Sequence, residues 1–212
     1  MPWRGVFRLI GRSSTFVFYD DVQFDKHGWR NRNRIQENGK LGWITVPVNG
    51  STSRRLDEVT IDWSGPWAGK LLKRLAQTYA KRPYRDAVLD LLEQHLAPQP
   101  SLLVDLTIPL TECIAELLFS QSPQFVRSSA LGIIGSQSER LALIAENANA
   151  DTYLSGPSAK DYLDESAFVN RSINVSWENY SFPEDSEGLD PAASILDYLA
   201  LHWSDAKRFI LS

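Results

Sequence analysis

Two adjacent carboxylates, Asp20 and Asp21, close a run of five β-branched or aromatic residues at positions 15–19. A run of that composition reads as a buried strand. In open α/β sheets ligands bind outside the carboxyl ends of the strands, so the pair stands where chemistry is expected. Asp20 or Asp21 would serve as a general base, or as the acceptor that orients a substrate amine or hydroxyl. Partial desolvation at a strand end would raise the carboxylate pKa toward proton transfer. Gln23, Lys26, Trp29, Arg32, Asn33 and Arg34 follow closely. Guanidinium forks beside an aromatic ring can grip a phosphate or carboxylate while stacking. Arg32, Arg34 and Lys26 would then hold an anionic donor, with Gln23 and Asn33 giving neutral hydrogen bonds. The alternative is a strand followed by a solvated charged loop. An Asp pair can also reach Mg²⁺ through a bound phosphate, but one pair is no ligand set and no metal is assigned.

A second candidate lies at Ser155, Gly156, Pro157 and Ser158. A short strand, a Gly-containing turn and a helix start at 159–163 would leave free backbone N–H groups for a second anion. The Gly spacing of a dinucleotide or P-loop fingerprint is absent, and a plain capped helix explains the same residues. The polar loop at 50–55 could hold an anion too, although a surface loop is the simpler reading. Cys113, the one cysteine, falls in an apolar helical pattern and reads as a structural thiol. His95 and His202 lack partners at metal-ligand spacing.

Charge is divided along the chain. Residues 1–85 carry 16 Lys and Arg against 7 Asp and Glu, whereas residues 86–212 carry 6 against 19. The basic part holds the opening motif, which favours an anionic ligand. The basic residues are dispersed and no nucleic-acid motif occurs, so no nucleic-acid partner is expected. No run approaches the roughly 18 apolar residues of a membrane span, and no secretory signal is seen; the expectation is a cytoplasmic protein.

The elements that must position these groups follow from periodicity. A helix is expected over 5–12 and a strand over 15–19. Asn38-Gly39 predicts a β-hairpin between runs at 34–36 and 43–46, because both residues accept positive φ. Pro47 should end that hairpin, and 58–63 reads as a short strand. Ser64-Gly65-Pro66 reads as a helix start, with Ser64 as cap. Three amphipathic helices should fill 64–122, the last interrupted or kinked by Pro109. Strands over 124–127, 152–154 and 173–177 alternate with helices, one of them over 136–148 with a capping arrangement at its start. Helices over 192–203 and 205–211 close the chain. Together these predict one α/β domain over 1–212, a mostly parallel sheet with flanking helices, a hairpin near the N-terminus and a helical insertion at 64–122.

The segment FVFYDDVQF, followed by a Trp and RNRI, resembles the WbqC-like protein family. The likeness continues through GWITVPV, SGPSAKDYL and SILDYL and spans nearly the whole chain. It implies a role in bacterial O-antigen or other surface polysaccharide biosynthesis more than it implies a reaction. In that family an N-terminal strand ends in a Gln-Pro turn before a matching helix. Pro2-Trp3 and the helix are what this sequence shows of that part, so a place beside the strand at 15–19 is expected to be open. The resulting expectation is a transferase acting on an anionic activated substrate, a nucleotide-linked sugar or acyl donor. Two alternatives stand beside it: a nucleotidyltransferase-like enzyme, for which the His-x-Gly-His hallmark is missing, and a non-catalytic sugar- or nucleotide-binding accessory protein. Cofactor and oligomeric state are not indicated.

Overall fold

A computed structural model describes residues 3–25, 28–49, 53–182 and 188–211. Helix α1 (Arg4–Gly11) places Phe7 and Ile10 in the main core. Gly5 allows the Trp3 ring to lie against the helix, since a Cβ there would meet that ring at 2.0 Å. Strand β1 (Thr15–Phe18) follows. Strands β2 (Arg32–Glu37) and β3 (Lys40–Thr45) form the expected antiparallel hairpin, with Arg34 opposite Trp43. Asn38 and Gly39 both have positive φ, the conformation such a two-residue turn requires. Past Pro47, β4 (Val48–Asn49) pairs with β5 (Thr60–Ile61).

Helices α2 (Trp67–Thr78), α3 (Arg85–Leu96) and α4 (Leu103–Leu118) fill the middle of the chain. Leu75, Val88, Leu103 and Ile114 are fully buried in the core they share with α1. Burying side chains of this size contributes about 1.5–3 kcal/mol each. Helix α4 is not interrupted at Pro109 but runs on through it. Ser64 does not cap α2, because the helix starts later, with Pro66 at the cap position.

Strand β6 (Gln124–Arg127) pairs in parallel with β1 and runs directly into the single turn α5 (Ser128–Leu131). Helix α6 (Gln137–Asn147), β7 (Thr152–Ser155), the short α7 (Ser166–Val169) and β8 (Asn174–Trp177) come next, and β7 and β8 are also parallel. The expected cap at the start of α6 is not made. Helix α8 (Ile195–His202) is capped by Ser194 and packs beside α3 and β2. The last expected helix is a 3-10 segment, Trp203–Phe209.

The α/β class therefore holds; among the described residues the strands form four two-stranded ladders, two of them parallel, and the buried apolar side chains gather in two cores. The smaller one gathers Ala142, Ala145, Ala167, Phe168 and Ile173 around β7 and β8. A cleft of about 1070 Å³ separates the two parallel pairs, lined by Thr15, Phe16 and Val17 on one side and by residues 152–156 on the other. Consecutive residues line it on both sides, so each strand turns its edge, rather than one face, to the opening. This explains a departure from expectation: every residue of β1 is half-buried instead of buried.

Candidate functional site

The parallel register sets Phe18 beside Arg127, so the residues after β1 meet the residues after β6. Asp20, 1% exposed, is held there from several sides. One carboxylate oxygen accepts from Arg127 Nε at 2.6 Å and Ser129 Oγ at 2.8 Å, and the other from the Ser129 backbone N–H at 2.9 Å. Its backbone N–H donates to Ser128 Oγ at 3.1 Å. The same hydroxyl donates to Asp21 at 2.6 Å. Arg140, from the start of α6, closes the cluster with an ion pair to the second Asp21 oxygen, and its guanidinium lies 5.1 Å from the Tyr19 ring centroid.

These contacts correct the expected electrostatics. Burial pushes both carboxyls up, but the donors facing them outweigh it. Ser129 and Arg127 hold Asp20 below its ordinary value, and Arg140 and Ser128 do the same for Asp21. Both side chains are ionised acceptors at neutral pH. The partners Arg127, Ser128, Ser129 and Arg140 were not singled out in the sequence. One cue was present, a strand QFVR that runs straight into two hydroxyls, but the register that sets it beside β1 comes from the fold.

Asp20 and Asp21 do not themselves line the cleft; their neighbours Tyr19, Val22, Gln23 and Arg30 do, with Ser155 at the end of β7 and the following Gly156 on the other side. Ser158 is exposed and does not line it. The helix expected after Gly156 is a five-residue 3-10 turn, Pro157–Asp161, so no helix terminus is available there as an anion cradle. Across the cleft, Arg8 of α1 and Arg12 just after it bind the buried Glu178 at 2.7 and 2.8 Å, while the Glu178 N–H donates to the Ser155 carbonyl. That bridge ties α1 to the end of β7.

The hairpin residues form a separate group. Arg32 and Arg34 lie on one face of β2, and Asn33 points the other way into the protein, 1% exposed, as the period of a strand demands. The Arg32 guanidinium lies 4.2 Å from the Trp43 ring, and that of Arg34 5.1 Å from the Trp29 ring. The guanidiniums that meet Asp20 and Asp21 are those of Arg127 and Arg140. Lys26 lies outside the described residues. Among the described residues no group of three His, Cys, Asp or Glu side chains is placed to hold a metal ion, and no helix is long and apolar enough to cross a membrane. Burial pushes the Cys113 thiol pKa up, as for a structural cysteine.

The chain belongs to the WbqC-like protein family, whose model matches residues 1–209. It is also similar to an uncharacterized protein of Mycobacterium tuberculosis, 37% identical over 206 residues that make up 94% of this chain and 88% of the relative. No solved structure matches it.

Proposed function

We propose that this member of the WbqC-like family is a transferase in the assembly of bacterial surface-polysaccharide precursors. It acts on an anionic activated substrate, a nucleotide-linked sugar or an acyl donor, bound in the cleft. The observation that supports this reading is an ionised, tightly oriented carboxylate cluster at the ends of two parallel strands, beside a large cleft that the flanking Tyr19 and Val22 line. Asp21 is the acceptor that orients a substrate amine or hydroxyl, and Asp20 positions the two serines. Arg12 and Arg30 face the same cleft and offer positive charge to the donor. Gln23, Ser155 and Gly156 supply neutral hydrogen bonds.

Turnover of purified protein with sugar nucleotides and an amine or hydroxyl acceptor tests this. Asp21→Asn should lower kcat about a hundredfold while affinity stays within a factor of about two, the pattern of a group used in the transition state. Because both carboxyls titrate below their ordinary range, the rate should show no acid limb from either between pH 8 and 5. Equal rates for wild type and Asp21→Asn would remove Asp21 from the chemistry. Tight nucleotide-sugar binding with no turnover by the wild type would favour the accessory-protein reading. One feature already leans that way: both carboxylates are low in pKa and neither is poised to take a proton.

A further inference from the structure

The outer face of the β2–β3 hairpin carries two exposed indoles. Trp29 is 53% exposed and Trp43 42%, with ring centroids 5.2 Å apart and planes tilted by 42°. Arg32 and Arg34 sit against them, and Arg34 lies within reach of both rings, at 5.1 and 5.6 Å. The Arg34 Nε is buried and has no hydrogen-bond partner among the described residues. Such an arrangement is unusual on a plain surface, where large aromatic rings are covered and a guanidinium nitrogen is satisfied by a neighbour or by water. Arg74 braces the platform, donating to the Trp43 carbonyl at 2.7 Å and pairing with Glu37 of the same hairpin. Trp43 is therefore mounted on a braced strand, and Trp29 leans on it from the segment before β2.

We infer that this face is a binding site for an acidic saccharide, separate from the carboxylate cluster. Two tilted aromatic planes make a shallow V. A puckered pyranose ring can lay its C–H face against one indole and its edge against the other, whereas a flat base stacks best on a single plane. The two guanidiniums supply the complement of a carboxylate or sulfate on that ring, and their forked geometry favours a planar anion. Arg30, next in sequence to Trp29, lines the cleft, whereas Trp29, Trp43, Arg32 and Arg34 do not. The platform would hold an acceptor glycan while the cleft holds the donor, but the binding claim itself does not depend on that reaction.

Intrinsic tryptophan fluorescence provides the readout, with a tetrasaccharide of alternating glucuronate and N-acetylglucosamine as probe. Saturable quenching is expected, at least tenfold weaker in Trp29→Ala and in Arg34→Ala. Arg34→Lys keeps the charge without the fork and should recover part of the affinity. The neutral chitin tetrasaccharide should bind at least tenfold more weakly than the acidic one. Asp21→Asn should bind the probe like wild type, so loss of turnover and loss of this site remain distinguishable. Equal affinity for the neutral and acidic oligosaccharides, or an unchanged Kd in Trp29→Ala, would overturn the assignment. So would tighter binding of oligo-dT than of either saccharide, which would mark a single-strand nucleic-acid surface instead.

Discussion

Asp20→Ala should destabilise the protein by about 4 kcal/mol at pH 7, near the lower end expected for three lost hydrogen bonds to a charged group. Asp20 is the joint between the ends of β1 and β6. Its carboxylate accepts from Arg127, Ser129 Oγ and the Ser129 N–H, and without it the Ser129 N–H and hydroxyl lose their partner. Asp20→Asn should recover less than half of the loss, because its amide can satisfy one acceptor role but turns a donor toward Arg127 or Ser129. The effect must depend on pH. A carboxyl held below its ordinary value contributes stability that is fully present above the unfolded pKa and is lost as pH falls through the folded pKa. Wild type and Asp20→Asn should therefore differ most at pH 7 and converge toward pH 2. Urea unfolding at the two pH values checks this. A constant difference across that range would mean that the Asp20 charge is not what holds the strand ends.

Asp197→Ala should cost a similar amount, about 3 kcal/mol or more, for a different reason. Asp197 is 0% exposed, at the start of α8. One oxygen accepts from Arg82 at 2.9 Å and from the Gln36 N–H at 3.2 Å, and the other is buried without a partner. Removing the carboxylate leaves the mostly buried Arg82 guanidinium with no opposing charge. Here burial dominates, and it pushes the Asp197 pKa up to about 6 against the attraction of Arg82. The folded state thus holds a proton that the unfolded chain has already released, and stability falls as pH rises from about 4 to about 6. Between pH 7 and 5 this one group should return about 1 kcal/mol, whereas Asp20, Asp21 and Glu37, all lowered, lose little until pH nears 4. Chemical denaturation should show wild type gaining stability from pH 7 to 5 and Asp197→Asn staying flat. A gain of equal size in Asp197→Asn would place the titration elsewhere.

The two carboxylates show how far residue types can be read without neighbours. Both end an apolar run or begin a helix, and both sit at element boundaries where charge is expected. Their pKa values shift in opposite directions because of what the fold sets around them. Asp20 meets a serine pair, a free N–H and a guanidinium, so the donors win. Asp197 is sealed among Tyr79, Arg82 and the main core with one oxygen unpaired, so desolvation wins.

Local rules decided much of the architecture. The Asn38-Gly39 turn, the helical stripes of α2 to α4, the ends of β3 and α8 and the short strands β6 to β8 follow from φ preferences and periodicity that act over a few residues. Spacing put Asn33 in one site with Arg32 and Arg34, whereas β2 starts at Arg32 and turns Asn33 inward, away from the two arginines. What residue spacing could not decide was which strand lies beside which. The pairing of β1 with β6 joins residues more than a hundred positions apart, and only that register brings Ser128 and Ser129 to Asp20 and Asp21. Likewise, the gap between the β1–β6 and β7–β8 pairs arises from how two separate cores pack. Periodicity reports which face of a strand is apolar. It carries no information about whether the strand's edge meets another strand or an open cleft, and that was settled by the tertiary structure.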